Sequence, residues 1–264
     1  MSSDTENWKE NIGPLFIEYS KEKYRSDSNA QKGLPQPELE TPSKATDILL
    51  NLPDTSGHNV ESVNFLEIVT QRRSLRVYSD DPLSLEELSY LLWCTQGVKN
   101  IYRRETNEIA RKFRSNITMR TVPSAGMRHA FETYLLVNRV REVQPGLYRY
   151  IALEHKLLQV SLDEGLPDKV SEGCNSQQFV KNGAVVFLWV AFPARMAHVY
   201  GNRGYRYLFL DAGHVCQNLY LASEVIGCGT CAVGSYNDTQ LNELLGIDGE
   251  SQFVIYVAPV GKKR

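Results

Sequence analysis

Long apolar runs are missing from this chain. No stretch reaches the ~18 residues that a bilayer span needs, so no membrane segment is expected. An excess of one charge sign is missing too, with 29 Lys and Arg against 31 Asp and Glu. A global field for nucleic acid is therefore excluded, and the one basic cluster at residues 72–76 is too short for a stripe. Cysteine is scarce: five residues, an odd number without regular spacing, suit a reducing compartment better than a disulfide framework. No second C-x-x-C or close His pair accompanies Cys228 and Cys231, so a zinc site lacks ligands and no metal is expected. The start, Met1-Ser-Ser-Asp-Thr-Glu, carries neither a basic nor an apolar signal region. The chain thus reads as a cytoplasmic globular protein. With 264 residues and 42% hydrophobic content, it can bury a full core.

What is present divides into two parts. Residues 1–60 are polar, with Pro35, Pro37, Pro42 and Pro53 among charges, and read as an extended N-terminal arm. Only Pro14–Ser20 is amphipathic enough to pack on a body. Residues 61–264 form that body. Val63, Leu66 and Val69 predict a helix over 61–72, and Ser84-Leu-Glu-Glu87 is a capping box that opens another over 84–96, with Gly97 after it. The charged stretch 99–121 lacks periodicity and is expected to be a loop. Strands are predicted at 131–138, 147–151, 156–160, 184–192 and 253–261, with partial helix over 163–182. The run Ala184–Phe192 is apolar throughout, the mark of a strand buried on both faces. A long helix over 205–226 places Phe209, Ala212, Cys216, Leu219, Ala222 and Ile226 in line, and a last one is capped by Asp238 and ended by Gly246. Helices followed by hairpins and mixed elements imply an α+β fold with a mostly antiparallel central sheet flanked by helices.

Two motifs mislead. Gly227-Cys-Gly-Thr-Cys-Ala232 fits the dinucleotide fingerprint, yet it leads from a helix into a strand, the reverse of the polarity a pyrophosphate needs. The pair Cys228 and Cys231 lies inside it, after a helix C-terminus, where a thiolate is disfavoured. His214, among Ala212, Gly213 and Val215, reads as a core histidine and not a catalytic base.

The stretch that carries chemistry is Gln71-Arg-Arg-Ser-Leu-Arg-Val-Tyr78, three arginines and a serine at a helix junction. Guanidinium forks, a hydroxyl and backbone N–H groups can close on a phosphate there. Two further stretches follow in order: Val122-Pro-Ser-Ala-Gly-Met-Arg-His129, and Gly204-Tyr-Arg-Tyr through Leu210-Asp-Ala-Gly-His-Val-Cys-Gln-Asn to Gly234. Together with Pro145-Gly-Leu-Tyr-Arg-Tyr150, these resemble the FMN-dependent nitroreductase family, and most closely its SagB-type dehydrogenase branch, over residues 61–261.

That resemblance implies an intertwined homodimer with FMN at the interface. It implies ping-pong electron transfer from NAD(P)H to a small electron-poor organic acceptor. Arg72, Arg73, Ser74 and Arg76 would hold the ribityl chain and phosphate. Pro123, Ser124, Ala125, Gly126 and Met127 would approach the flavin from the partner subunit. Val233 and Gly234 would offer backbone N–H groups near N5. No acid–base dyad is required, because the isoalloxazine carries the chemistry. Many members add a C-terminal Lys or Arg on the phosphate, for which only Lys262, Lys263 or Arg264 can serve here, with Lys262 first. Azoline-oxidising members carry a Lys-Tyr pair before the long helix, where this chain has Val199-Tyr200. Alternatives to the leading reading are an azoline (thiazoline or oxazoline) peptide dehydrogenase and a non-catalytic flavin-binding protein.

Overall fold

The computed structural model describes residues 7–54 and 63–264. In chain order the elements are α1 (Asn7–Tyr19), β1 (Leu49–Asn51), α2 (Phe65–Gln71), α3 (Leu85–Gln96), β2 (Val98–Tyr102), α4 (Glu108–Lys112) and β3 (Ile117–Arg120). Then come β4 (Phe131–Val137), β5 (Gly146–Ile151), β6 (Lys156–Ser161), α5 (Leu166–Gly173), α6 (Gln178–Lys181), β7 (Val185–Ala191) and α7 (Pro193–Tyr200). The chain finishes with α8 (Gly204–Val225), β8 (Cys228–Thr230), α9 (Asp238–Leu245) and β9 (Phe253–Lys262). Seven strands form one sheet in the order β1-β6-β5-β4-β7-β9-β8, every neighbour antiparallel. The α+β, mostly antiparallel architecture follows the sequence reading.

The central strand β7 shows why. Its side chains alternate between two cores: Val185, Phe187, Trp189 and Ala191 face the layer of α3 and α8, while Val186, Leu188 and Val190 face that of α5 and α9. A strand covered on both faces has no polar side to display, hence its unbroken apolar run. On the first face Leu88, Leu91 and Leu92 of α3 meet Leu208, Val215 and Leu219 of α8, all essentially buried. The α3 start is set by the capping box, in which Glu87 N–H donates to Ser84 Oγ and Ser84 N–H to the Glu87 carboxylate.

Several expectations need correction. The stretch 99–121 is no loop but the β2–β3 hairpin, paired from Val98↔Arg120 to Tyr102↔Ile117, with α4 at its tip. Its period was hidden because polar side chains occupy buried positions: Arg120 is buried and donates to Gln96 Oε1 at 3.0 Å. Helix α7 went unread. Helix α9 is capped by Asn237, whose side chain accepts from Gln240 N–H, one residue before Asp238. On α8, Phe209 is 56% exposed and His214 is exposed, so neither belongs to the core. Of the described N-terminal residues, the later part lies against the body. Leu49–Asn51 is the edge strand on β6, and the buried Glu40 carboxylate accepts Ala152 N–H at 2.7 Å and Leu153 N–H at 3.2 Å. Glu61 and Ser62 of the first expected helix lie outside the described residues; the described part starts at Phe65, with Asn64 as N-cap.

Phe187 is fully buried between strand neighbours and α-helical layers. Phe187→Ala is expected to cost about 3–5 kcal/mol, read as a lowered urea midpoint at unchanged slope.

Candidate functional site

Helix α2 ends at Arg72, whose N–H closes the last turn on Ile68 O at 3.0 Å. From there the basic junction docks on the free edge of the sheet. Leu75 N–H donates to Thr230 O at 2.9 Å and Ser79 N–H to Lys262 O at 3.0 Å. Two glycines make this seat possible. A Cβ on Gly229 would lie 2.5 Å from Leu75 Cδ2 and 2.8 Å from its Cβ, and a Cβ on Gly261 would lie 2.6 Å from Tyr78 Cγ. Held this way, Ser74 Oγ comes to 3.0 Å from Tyr220 Oη, and Arg72 Cζ lies 5.1 Å from the centre of the same ring. Arg76 turns elsewhere, 5.7 Å from the Phe179 ring on α6. Arg73 and Arg76 are exposed, and none of the three guanidinium groups has a carboxylate partner among the described residues.

The turn after β3 is strained and pinned. Gly126 and Met127 adopt φ of +55° and +53°, the left-handed region. Asp211 of α8, itself buried, holds the turn by accepting Ala125 N–H at 3.2 Å, and Ser124 Oγ accepts His129 N–H at 2.9 Å. Gly126 is required by contact as well as by φ, since a Cβ would meet Tyr200 Oη at 2.6 Å. Burial raises the Asp211 carboxyl above its ordinary pKa, opposed by hydrogen bonds from Ser124 and Ala125. Sequence reasoning quoted Asp211 without giving it a role. Its signal was a carboxylate placed among the apolar positions of a buried helix.

The two residues at Gly234 differ in what their backbones offer. Val233 is buried and its N–H is already donated to Val257 O at 2.7 Å, so that group is committed to the sheet. Gly234 is exposed. Of the C-terminal cations, Lys262 is ion-paired with Glu87 and Lys263 with Glu224, so both ammonium groups already face carboxylates. Arg264 instead donates from Nε to Tyr78 O at 2.9 Å, which brings it to the end of the basic junction. All five cysteines are free, and Cys228 is a buried thiol whose pKa burial pushes up to about 12.

Helix α8 connects the turn to the junction through Asp211 and Tyr220. Nine residues separate them, which is about 13–14 Å along the axis and half a turn around it. Within one chain the two stretches therefore sit on opposite sides of the helix and do not form one pocket.

The nitroreductase family model matches residues 69–262. This chain belongs to the nitroreductase family. A protein of Methanocaldococcus jannaschii, whose name gives it provisionally as a nitroreductase, is 34% identical over 214 residues, covering 81% of this chain and 96% of that one. Among solved structures, a nitroreductase-like protein of Anabaena variabilis superposes with a TM-score of 0.63 at 24% identity, over 85% of this chain and 45% of that chain. A chain of the E. coli microcin synthetase McbBCD complex, solved with truncated pro-MccB17 bound, superposes with a TM-score of 0.58 at 15% identity, over 97% of both chains. At these identities the structural likenesses establish the shared fold.

Two outcomes test this nitroreductase-family geometry. Gly229→Ala forces a methyl into Leu75 and is expected to cost about 1–3 kcal/mol, measured by urea unfolding. The second concerns Asp211. Because its folded pKa is raised, its stabilising contribution is complete below the unfolded value of about 3.9 and is lost as pH rises through the folded value. Asp211→Asn, which cannot ionise, is therefore expected to gain on the wild type in unfolding free energy as pH rises from about 4. Parallel stability curves for the two proteins would show that the carboxyl does not titrate in this way.

Proposed function

We propose that this nitroreductase-family chain is an FMN-dependent oxidoreductase, a homodimer that takes electrons from NAD(P)H and passes them to a small electron-poor organic acceptor. The observation that carries the reading is the junction at 72–76. Its three guanidinium groups have no carboxylate partner among the described residues, and Arg72 lies with a serine hydroxyl at the sheet edge while Arg76 extends towards Phe179. That donor set suits a phosphate ester, since each charge-assisted bond contributes about 1.5–3 kcal/mol. FMN would supply the hydride and electron chemistry when bound. The chain's own residues would do the rest. Arg72, Arg73, Ser74 and Arg76 anchor the phosphate and ribityl end, joined by Arg264 in place of the already paired Lys262. Gly234 leaves its backbone bare beside the ring edge. Pro123, Ser124, Ala125, Gly126 and Met127 form a rigid lip that excludes water and orients the acceptor.

Because the lip and the junction occupy opposite sides of α8, the lip would come from a second copy. Exposed apolar side chains on two helices in contact support that arrangement: Phe65 (70%) and Leu66 (71%) on α2, and Leu210 (57%) on α8. Residues 1–60 are proposed as a segment distinct from the 61–264 flavin domain, although its later half is packed on that domain. Cytoplasmic location belongs to the same reading.

A second reading is an azoline peptide dehydrogenase, favoured by the fold likeness to a microcin synthetase chain over 97% of both lengths. Val199 weighs against it: the position that is a lysine in azoline-oxidising members holds an apolar, buried side chain here.

The purified protein is expected to be yellow, with about one FMN per chain, to elute at twice its 29.9 kDa mass, and to bleach anaerobically with NADH or NADPH. Colourless protein that takes up no FMN would overturn both readings, and a bound flavin that no nicotinamide bleaches would favour a passive flavin carrier. Arg73→Ala is expected to weaken FMN binding by about 10- to 100-fold, one charge-assisted bond, in a fluorescence titration. Turnover of an azoline-containing peptide, absent with quinones and nitroaromatics, would select the second reading.

A further inference from the structure

Tyr220, in the C-terminal half of α8, contacts both the basic junction and the stretch that leads to Gly234. Its phenol oxygen accepts Ala232 N–H at 2.8 Å and lies 3.0 Å from Ser74 Oγ. The Arg72 guanidinium sits 5.1 Å from the centre of its ring. Strand alternation explains why a side chain is needed there. Beyond β8, Cys231 N–H and Val233 N–H both donate to β9, to Pro259 O at 3.4 Å and to Val257 O at 2.7 Å. Ala232 N–H, between them, points the other way, towards the edge on which the junction lies. On that edge Ser74 bridges Thr230 in parallel and Leu75 N–H donates to Thr230 O, but no junction carbonyl reaches Ala232 among the described residues. A half-buried N–H without an acceptor is costly, and the Tyr220 hydroxyl takes the place of the missing ladder carbonyl.

The Ser74–Tyr220 pair also keeps one donor uncommitted. Two hydroxyl hydrogens meet in a single mutual bond, so one of them points elsewhere. The Cys231 thiol lies beside Ser74, and sulfur is a weak acceptor. Ser74 is exposed, so the remaining hydrogen can reach an oxygen of a bound molecule.

We propose that Tyr220 is the positioning residue of the cofactor seat, holding Arg72 by its ring and locking Ser74 to the Ala232–Gly234 backbone by its hydroxyl. The inference rests on the FMN reading and goes beyond it by naming the side chain through which the phosphate end and the ring edge share one geometry. Ring and hydroxyl have separate tasks. The ring keeps Arg72 beside Ser74, which reduces the side-chain ordering that a phosphate must impose on binding. The hydroxyl fixes the exposed backbone at Gly234. Peptide dipoles held there favour the more negative, reduced form of a flavin over the oxidised form.

Tyr220→Phe removes the hydroxyl and keeps the ring, whereas Tyr220→Leu removes both. A fluorescence titration with FMN and the midpoint potential of the loaded protein read the two tasks. In Tyr220→Phe, oxidised FMN is expected to bind about 3- to 10-fold more weakly. Reduced FMN is expected to lose about a further tenfold, which moves the midpoint potential about 30 mV more negative. Arg72→Ala is expected to lower FMN affinity by the same factor in Tyr220→Phe as in the wild type, and by a smaller factor in Tyr220→Leu. A wild type that takes up no FMN overturns the FMN reading and this inference with it. Where the wild type binds FMN, a Tyr220→Phe protein with the wild-type midpoint potential overturns the positioning role alone, even if its affinity or melting temperature falls. An undiminished Arg72→Ala effect in Tyr220→Leu overturns the task given to the ring.

Discussion

Two missing side chains set the position of the basic junction. With no Cβ at Gly229 or Gly261, Leu75 and Tyr78 lie flat on β8 and β9, close enough for Leu75 N–H to reach Thr230 O. Backbone pairing to a sheet edge fixes a loop more rigidly than side-chain contact does, because the ladder leaves few torsions free. The arginines of the junction project from a fixed base, and their long side chains are the only adjustable part.

Helix α8 is the second organising element, and it works by dividing its faces. One side packs into the sheet through Leu208, Val215 and Leu219, Asp211 pins the 123–127 turn, Tyr220 meets the junction, Phe209 stacks edge-on against Phe16, and Leu210 is exposed. A helix with work on every side shows no clean amphipathic stripe. That is why Phe209 looked like core and His214 like a buried histidine. The polar content of the interior has the same consequence. Glu40, Arg120, Glu132, Arg149 and Arg195 are buried because they satisfy one another and the backbone, and the residues that do so are spread from 40 to 195.

The strands were legible wherever burial is one-sided or complete. β4, β5, β6, β7 and β9 lie where alternation or unbroken apolarity placed them. The β2–β3 hairpin was not, since Arg120 and Thr118 occupy inward positions that a hydropathy pattern scores as outward. At the site, the junction and the turn could be recognised by residue type and order. The roles of Asp211, Tyr220 and Arg264 could not, because each depends on a contact between residues 86 to 186 positions apart in the chain.

The sequence by itself determined the fold class, the two-faced burial of β7, the capping box of α3, and the membership of a family that spans residues 69–262. These follow from local period and residue type, which act within a few positions of the chain. Only the tertiary structure decided which polar groups are still free to act. Val233 N–H is consumed by Val257, and Lys262 and Lys263 by glutamates, whereas the arginines of the junction have no carboxylate among the described residues. Whether a donor or a charge is available depends on what sits opposite it, and strand pairing and packing place those partners far away in sequence.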